Sequence, residues 1–355
     1  MDSSEGLSKQ TLRIIDANLN RIDESLRLLE DIARLILNDA TLSKKLKTIR
    51  HNLEYVDFSF KKQLLQARQA DSDVGADIKV PQQFEKRDLH STIIANSHRI
   101  EQSLRVVEEM AKTPGIELDS DKFEKARFEL YTIEKELVSK LLRKDKSDRI
   151  KGLYAIIDTD SLKGRNHLDI AKQILEGGAK IIQLRDKTTP KKDLLSIATG
   201  LKRLCYEYNA LFIVNDYIDI AIASDADGVH IGQDDIPLPI ARRLMPIDKI
   251  IGYSVYTPEE AVKAQEQGAD YIATSAIYPT RSKADVKVIG LEGLKRIKDK
   301  SIVPLVGLGG ITYDNICEVI SYGADSVAVI SAILGARSPD EATRQLIEKM
   351  GLTNE

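Results

Sequence analysis

Two carboxylates stand where neighbouring apolar runs stop. LFIVND, residues 211–216, ends on Asp216, and GVHIGQDD, residues 228–235, ends on Asp235. One such acid alone serves a turn, because Asp accepts hydrogen bonds from backbone two residues on. Two at the same end of adjacent strands could share a metal. In QLRDK, residues 183–187, alternation with a period of two points Gln183, Arg185 and Lys187 one way, and Leu184 and Asp186 the other. A planar Arg fork beside a Lys point charge suits pyrophosphate. Two acids plus pyrophosphate form a setting for magnesium, which takes one or two carboxylates and fills its remaining positions with phosphate oxygens and water.

Further polar groups fall at equivalent points of the pattern. Asn215 precedes Asp216, Ser254 ends the run IIGYSV, and Thr280, Ser282 and Lys283 cluster in YPTRSK, which reads either as a phosphate-contacting lid or as a solvated loop. Gly307, Gly309 and Gly310 free backbone amides where barrels commonly hold a phosphate. His230 points inward from its strand, where a neutral, hydrogen-bonded structural role is expected, since no second His or Cys sits at zinc spacing.

The elements that must carry these groups are eight short β-branched runs, at 153–158, 180–186, 211–216, 228–233, 250–255, 271–277, 303–310 and 326–333. Helix-length spacers separate most of them, and GGA, DADG, QGAD and YGAD turns lead into the next strand. Eight parallel strands in about 200 residues predict a closed (β/α)8 TIM barrel, whose active site lies at the carboxyl ends of its strands.

Before residue 150 the texture differs. Leu12, Ile15, Leu19, Ile22, Leu26, Leu29, Ile32, Ala33 and Ile36 make one stripe of a long amphipathic helix. Residues 17–33, ANLNRIDESLRLLEDIA, recur 78 positions later as ANSHRIEQSLRVVEEMA, 95–111. The repeat predicts two similar helical hairpins about a pseudo-twofold axis. Repeated Leu and Ile serve a bundle core, whereas repeated Asn, Arg and Glu are less easily explained by packing. Residues 68–90 read as a long loop of the lid or binding type, and RKDKSDRIK, 143–151, as the junction. The expected organisation is an all-α domain over 1–145, with an internal repeat, followed by an α/β barrel over 151–355.

With 355 residues, 42% hydrophobic and 30% charged, the chain is long enough for two domains. A net charge of −3 gives no reason to expect nucleic acid or an anionic membrane as partner. Cys205 and Cys317 are far apart and read as two buried or half-buried thiols rather than a disulfide or metal site. No secretory leader or apolar run of about 20 residues is found, so a cytoplasmic protein acting on small molecules, as a homo-oligomer, is expected.

From about residue 150 to 350 the chain resembles the thiamine-phosphate synthases, on QLRDK, VND, GVHIGQDD, GYS, IYPTRSK, VGLGGI and VAVISAI in that order. The resemblance implies joining of hydroxymethylpyrimidine diphosphate to a thiazole phosphate, with release of pyrophosphate. It implies that Gln183, Arg185, Lys187 and Asn215 contact the pyrimidine diphosphate, that Asp216 and Asp235 hold Mg2+, and that Ser254 and Lys283 also serve the pyrophosphate. Thr280, Ser282, Gly310, Ile330 and Ser331 would receive the thiazole phosphate. One departure is Ser275 and Ala276, where the family usually has Gly-Pro. The rival reading for the barrel is a phosphate-ligand binding protein without turnover.

Residues 7–142 resemble the helical domain fused in front of some members of that family, on DANLNR, ESLRLLED, IRHNL, SDVG and ANSHRIEQSLRVVEE. That domain is associated with phosphorylation of hydroxymethylpyrimidine phosphate, which makes ATP the expected donor, although no Walker loop or kinase Gly-rich signature is present. On that reading Asn18, Arg21, Arg27, Asn96, Arg99 and Arg105 contact phosphate, Glu30 and Glu108 position the arginines or a metal, and Arg50 and the Asp73–Gly75 turn are further candidates. The alternative is a non-catalytic dimerisation or scaffold bundle whose repeated charges form ion pairs.

Overall fold

A computed structural model describes residues 9–54, 57–68, 88–274, 276–279 and 288–351. Its internal contacts divide the chain into Met1–Leu142 and Arg143–Glu355.

The first unit is helical: α1 (Lys9–Asp31), which closes in a π-helical turn at Ile32–Ile36, α2 (Ala40–Glu54), α3 (Phe58–Ala67), α4 (Leu89–Ala111) and α5 (Ser120–Asp148). Most of the apolar stripe of α1 is buried, but Leu19 is only half-buried and Ile36 is exposed. The repeat is realised in the core, where Ile22, Leu26 and Leu29 of α1 join Ile100, Leu104 and Val107 of α4. Asp88 starts α4 by accepting from the Ser91 N–H at 2.7 Å. The rest of the expected loop at 68–90 lies almost wholly outside the described residues.

The charged stretch 143–151, expected as the junction, begins where the two units divide, and most of it is the last turns of α5. Lys144 and Asp148 pair at 2.8 Å with i,i+4 spacing, which keeps so polar a segment helical. Arg143, the first residue of the second unit, is buried and donates from Nε to Asp270 at 2.7 Å.

In the second unit all eight expected strands form: β1 (Gly152–Asp158), β2 (Ile181–Arg185), β3 (Leu211–Asn215), β4 (Gly228–Ile231), β5 (Ile250–Val255), β6 (Tyr271–Thr274), β7 (Leu305–Leu308) and β8 (Ser326–Val329). They pair in parallel, each with the next, and β8 closes on β1 through Gly152↔Ser326. Inward positions such as Tyr154, Ile181, Leu211, Ile250 and Val306 fill the barrel, while the outward set packs under the helices.

The DADG, QGAD and YGAD turns have a mechanical task at the amino end of the barrel. Asp227, Asp270 and Asp325 each accept the N–H of a residue in the preceding strand, Phe212, Ile251 and Leu305, at 2.9, 2.8 and 2.8 Å. The carboxylate of each also takes a cation, Lys202, Arg242 or Lys298. Three neighbouring strand pairs are thereby pinned in register by one device. Cys205 is buried, and burial pushes its thiol up to about 12. Cys317 is exposed, against the expectation of a covered thiol, because its short helix turns that side outward.

Candidate active site

A cavity of about 340 Å3 opens at the carboxyl ends of the strands. The alternation of β2 puts Gln183 and Arg185 on its wall, with Lys187 just beyond, while Asp186 turns away and is buried. Asp186 accepts from the backbone N–H groups of Thr188 and Thr189 at 2.9 and 2.8 Å and from Thr159 Oγ1 at 2.7 Å. Burial alone would raise its pKa, but these donors hold it at about 2. A fixed anion therefore anchors the loop that carries Lys187.

Asp216 has a left-handed backbone, φ +62°, which Asp tolerates better than most residues. Its N–H donates to the His230 carbonyl at 2.8 Å, and its carboxylate pairs with Lys187. The loop after β4 folds back because the Gly232 N–H donates to Asp235 Oδ2 at 2.7 Å. Burial pushes the Asp235 carboxyl up, and the neighbouring Asp216 adds to the shift. Two hard carboxylates crowded together in this way suit a divalent cation such as Mg2+, which would relieve the repulsion. Arg185 pairs with Asp158, the buried last residue of β1. Asn215 also lines the cavity.

The floor was not foreseen. Gln183 Nε2 donates to the Tyr154 hydroxyl at 2.9 Å, and the Tyr154 and Tyr271 hydroxyls lie 3.0 Å apart. Both phenols are fully buried, and burial raises the pKa of each, so they stay neutral donors. Tyr271 needs Gly252 opposite, since a Cβ there would come within 2.0 Å of its ring. His230 is buried beside them with Nε2 3.0 Å from Ser254 Oγ, and burial pushes its pKa down to about 4. It is a neutral positioning group for Ser254. The available signal was the inward parity of Tyr154 and Tyr271; Asp158 could be read only from its place at a strand end.

At the far wall Gly309 and Gly310 adopt φ +99° and +68°. A Cβ on Gly310 would come within 2.6 Å of the Pro279 carbonyl, so glycine is required where the two loops meet. Gly310, Ile330 and Ser331 line the same cavity. Ala276, at the departure from the family pattern, precedes Ile277, whose N–H donates to the Leu308 carbonyl at 3.0 Å. Thr280, Ser282 and Lys283 lie outside the described residues.

In the helical unit Asn18 and Asn96 are buried, each donating 2.8 Å back to the carbonyl four residues earlier. Arg50 pairs with Glu30 at 3.3 Å, and Arg127 with Glu108 at 3.2 Å, the same bridge in both repeats. Arg105 also pairs with Glu108, at 2.7 Å, and Arg27 with Asp23, at 3.1 Å. Arg21 and Arg99 are exposed. Of these candidates, Arg50 alone lines the cavity of about 150 Å3 bounded by α1, α2 and α3. The Asp73–Gly75 turn lies outside the described residues.

Residues 153–333 match the family model described as thiamine monophosphate synthase, and residues 13–136 match the ThiD2 family. Over 351 residues the chain is 36% identical to a thiamine-phosphate synthase of Thermosynechococcus vestitus, covering 98% of this chain and 97% of that relative. With one of Synechocystis it shares 37% identity over 345 residues, covering 96% and 97%. A solved thiamine phosphate pyrophosphorylase from Pyrococcus furiosus, 40% identical, matches 59% of this chain and 98% of its own with a TM-score of 0.53. Through the model that matches its barrel, and through relatives aligned along nearly its whole length, the chain belongs to the thiamine-phosphate synthase family.

Proposed function

We propose that the barrel joins hydroxymethylpyrimidine diphosphate to a thiazole phosphate, giving thiamine phosphate and pyrophosphate. The observation that carries this reading is one cavity lined by Gln183, Arg185 and Lys187, by the Asp216–Asp235 pair, and by Gly310 and Ser331. Arg185 and Lys187 neutralise the pyrophosphate as its bond to the pyrimidine methylene breaks, and Ser254, oriented by His230, donates a further hydrogen bond. Asp216 and Asp235 would hold Mg2+, which when bound supplies additional charge neutralisation at the leaving group. The pyrimidine amino group stabilises the methylene cation, and the thiazole nitrogen attacks it. No strong base is needed, in keeping with a neutral His230. Gly310, Ile330 and Ser331, together with Thr280 and Ser282, receive the thiazole phosphate, and Lys283 serves the pyrophosphate.

For the helical unit the reading is phosphorylation of hydroxymethylpyrimidine phosphate, with ATP as donor. The ThiD2 match supports it, as does the fit between that product and the barrel's substrate. The twin bridges Glu30–Arg50 and Glu108–Arg127 favour a structural role for the repeated charges themselves. The test is chromatographic detection of thiamine phosphate from the diphosphate and the thiazole phosphate, with wild type and Asp216→Ala. Wild type should form product, the variant should be slower by about 100-fold or more, and equal rates would remove Asp216 from the mechanism.

A further inference from the structure

The internal repeat predicts two alike faces, yet the two hairpins differ. The outer helix of the second, α5, runs 29 residues without a break, whereas its counterpart is split into α2, ending at Glu54, and α3, beginning at Phe58. The split first hairpin holds the cavity of about 150 Å3.

Its lining has the composition of a site for a small charged aromatic ligand. Leu19, Leu26, Leu53 and Leu64 form an apolar floor. Asp16, Asn20 and Asp23 stand at i, i+4 and i+7 on one face of α1 and all reach it. The repeat does not preserve this row, because the positions 78 later are Ile94, His98 and Glu101. Among the described residues Asp23 Oδ1 is buried and accepts no hydrogen bond; Arg50 Nη1 is 3.8 Å away, at ion-pair range only. A buried carboxylate oxygen without a donor is costly unless a ligand supplies one. On the other side, Arg68 donates twice to Asp16, from Nε at 2.7 Å and Nη2 at 2.8 Å, and among the described residues its other three N–H groups have no acceptor. Its side chain is 47% exposed, and Lys61 lies beside it on the cavity rim.

We infer that this cavity is where the helical unit binds a phosphorylated aminopyrimidine. The ring lies on the leucine floor, its amino group donates to Asp23 Oδ1, and its phosphate meets Arg68 and Lys61. The volume is below the ~300–1,000 Å3 usual for drug-sized ligands and suits one six-membered ring with small substituents. The assignment rests on the kinase reading for its ligand, but it places the site on residues outside the repeated Asn, Arg and Glu set.

The test uses the full-length chain and follows ATP-dependent conversion of hydroxymethylpyrimidine monophosphate to the diphosphate. Asp23→Asn and Arg68→Met should each raise KM for the monophosphate at least tenfold, while synthase activity on supplied diphosphate stays at the wild-type level. Leu65→Trp, which fills the cavity from a position 54% exposed, should do the same without loading the core. If wild type phosphorylates and the variants keep its KM, the site lies elsewhere and the inference fails while the kinase reading stands. Absence of phosphorylation in wild type would remove both.

Discussion

Replacing Asp235 by Asn should stabilise the metal-free barrel while disabling it. Two like charges 4 Å apart repel by roughly 4 kcal/mol at an effective dielectric of 20. Here Lys187 already pairs with Asp216 and Asp235 is only partly buried, so screening leaves about 1 kcal/mol to be gained. Asparagine can keep an oxygen for the Gly232 N–H, now at 2.7 Å, so the turn survives. For a domain of this size about 1 kcal/mol corresponds to about 2–4 °C in melting temperature. Turnover should fall by about 100-fold or more, because one of the two carboxylates proposed to hold magnesium is gone. The sign should reverse in magnesium, since a cation that binds only the folded protein stabilises it by mass action, and wild type binds more tightly. Scanning calorimetry in EDTA and in millimolar MgCl2 measures both effects. A variant less stable than wild type in EDTA, or an equal magnesium response in both proteins, would refute the carboxylate-pair account.

Glu101 offers a pH test in the other unit. Burial, and then the charge of Glu134, push it up to about 7, above the 4.5 of an unperturbed carboxyl. The folded state therefore holds this proton more tightly than the unfolded one, and the stability it contributes is present below about pH 4.5 and lost as pH rises through 7. Glu101→Gln should accordingly raise the melting temperature at pH 8 and leave it nearly unchanged near pH 4.5; a pH-independent difference would contradict this. Asp270→Ala should cost about 3–5 kcal/mol in urea unfolding, because it takes the carboxylate from two guanidiniums, Arg143 at 2.7 Å and Arg242 at 2.9 Å, and the acceptor from the Ile251 N–H. A loss below about 1 kcal/mol would show that the network is not a structural fastener.

Legibility followed periodicity. Alternation with a period of two made the eight strands readable and showed that Gln183, Arg185 and Lys187 share a side while Asp186 does not. The left-handed backbone of Asp216 and the hydroxyl chain from Gln183 through Tyr154 to Tyr271 were not readable, because they depend on non-local contacts across the barrel. In the helical unit the repeat revealed the core, and it marked Glu30 and Glu108, which form bridges to Arg50 and Arg127, whereas the cavity arises where the repeat fails. The stretch 143–151 was read as a junction from its charge; the chain divides at its start, between Leu142 and Arg143, and its helical state, with i,i+4 pairing, was not foreseen.

The most direct test of the account is product analysis of the intact chain supplied with Mg2+, ATP, hydroxymethylpyrimidine monophosphate and thiazole phosphate, beside a parallel reaction given the diphosphate without ATP. The account predicts thiamine phosphate in both. Product from the diphosphate alone would leave the barrel chemistry standing and reduce the helical unit to a scaffold, and no product in either reaction would contradict the central claim.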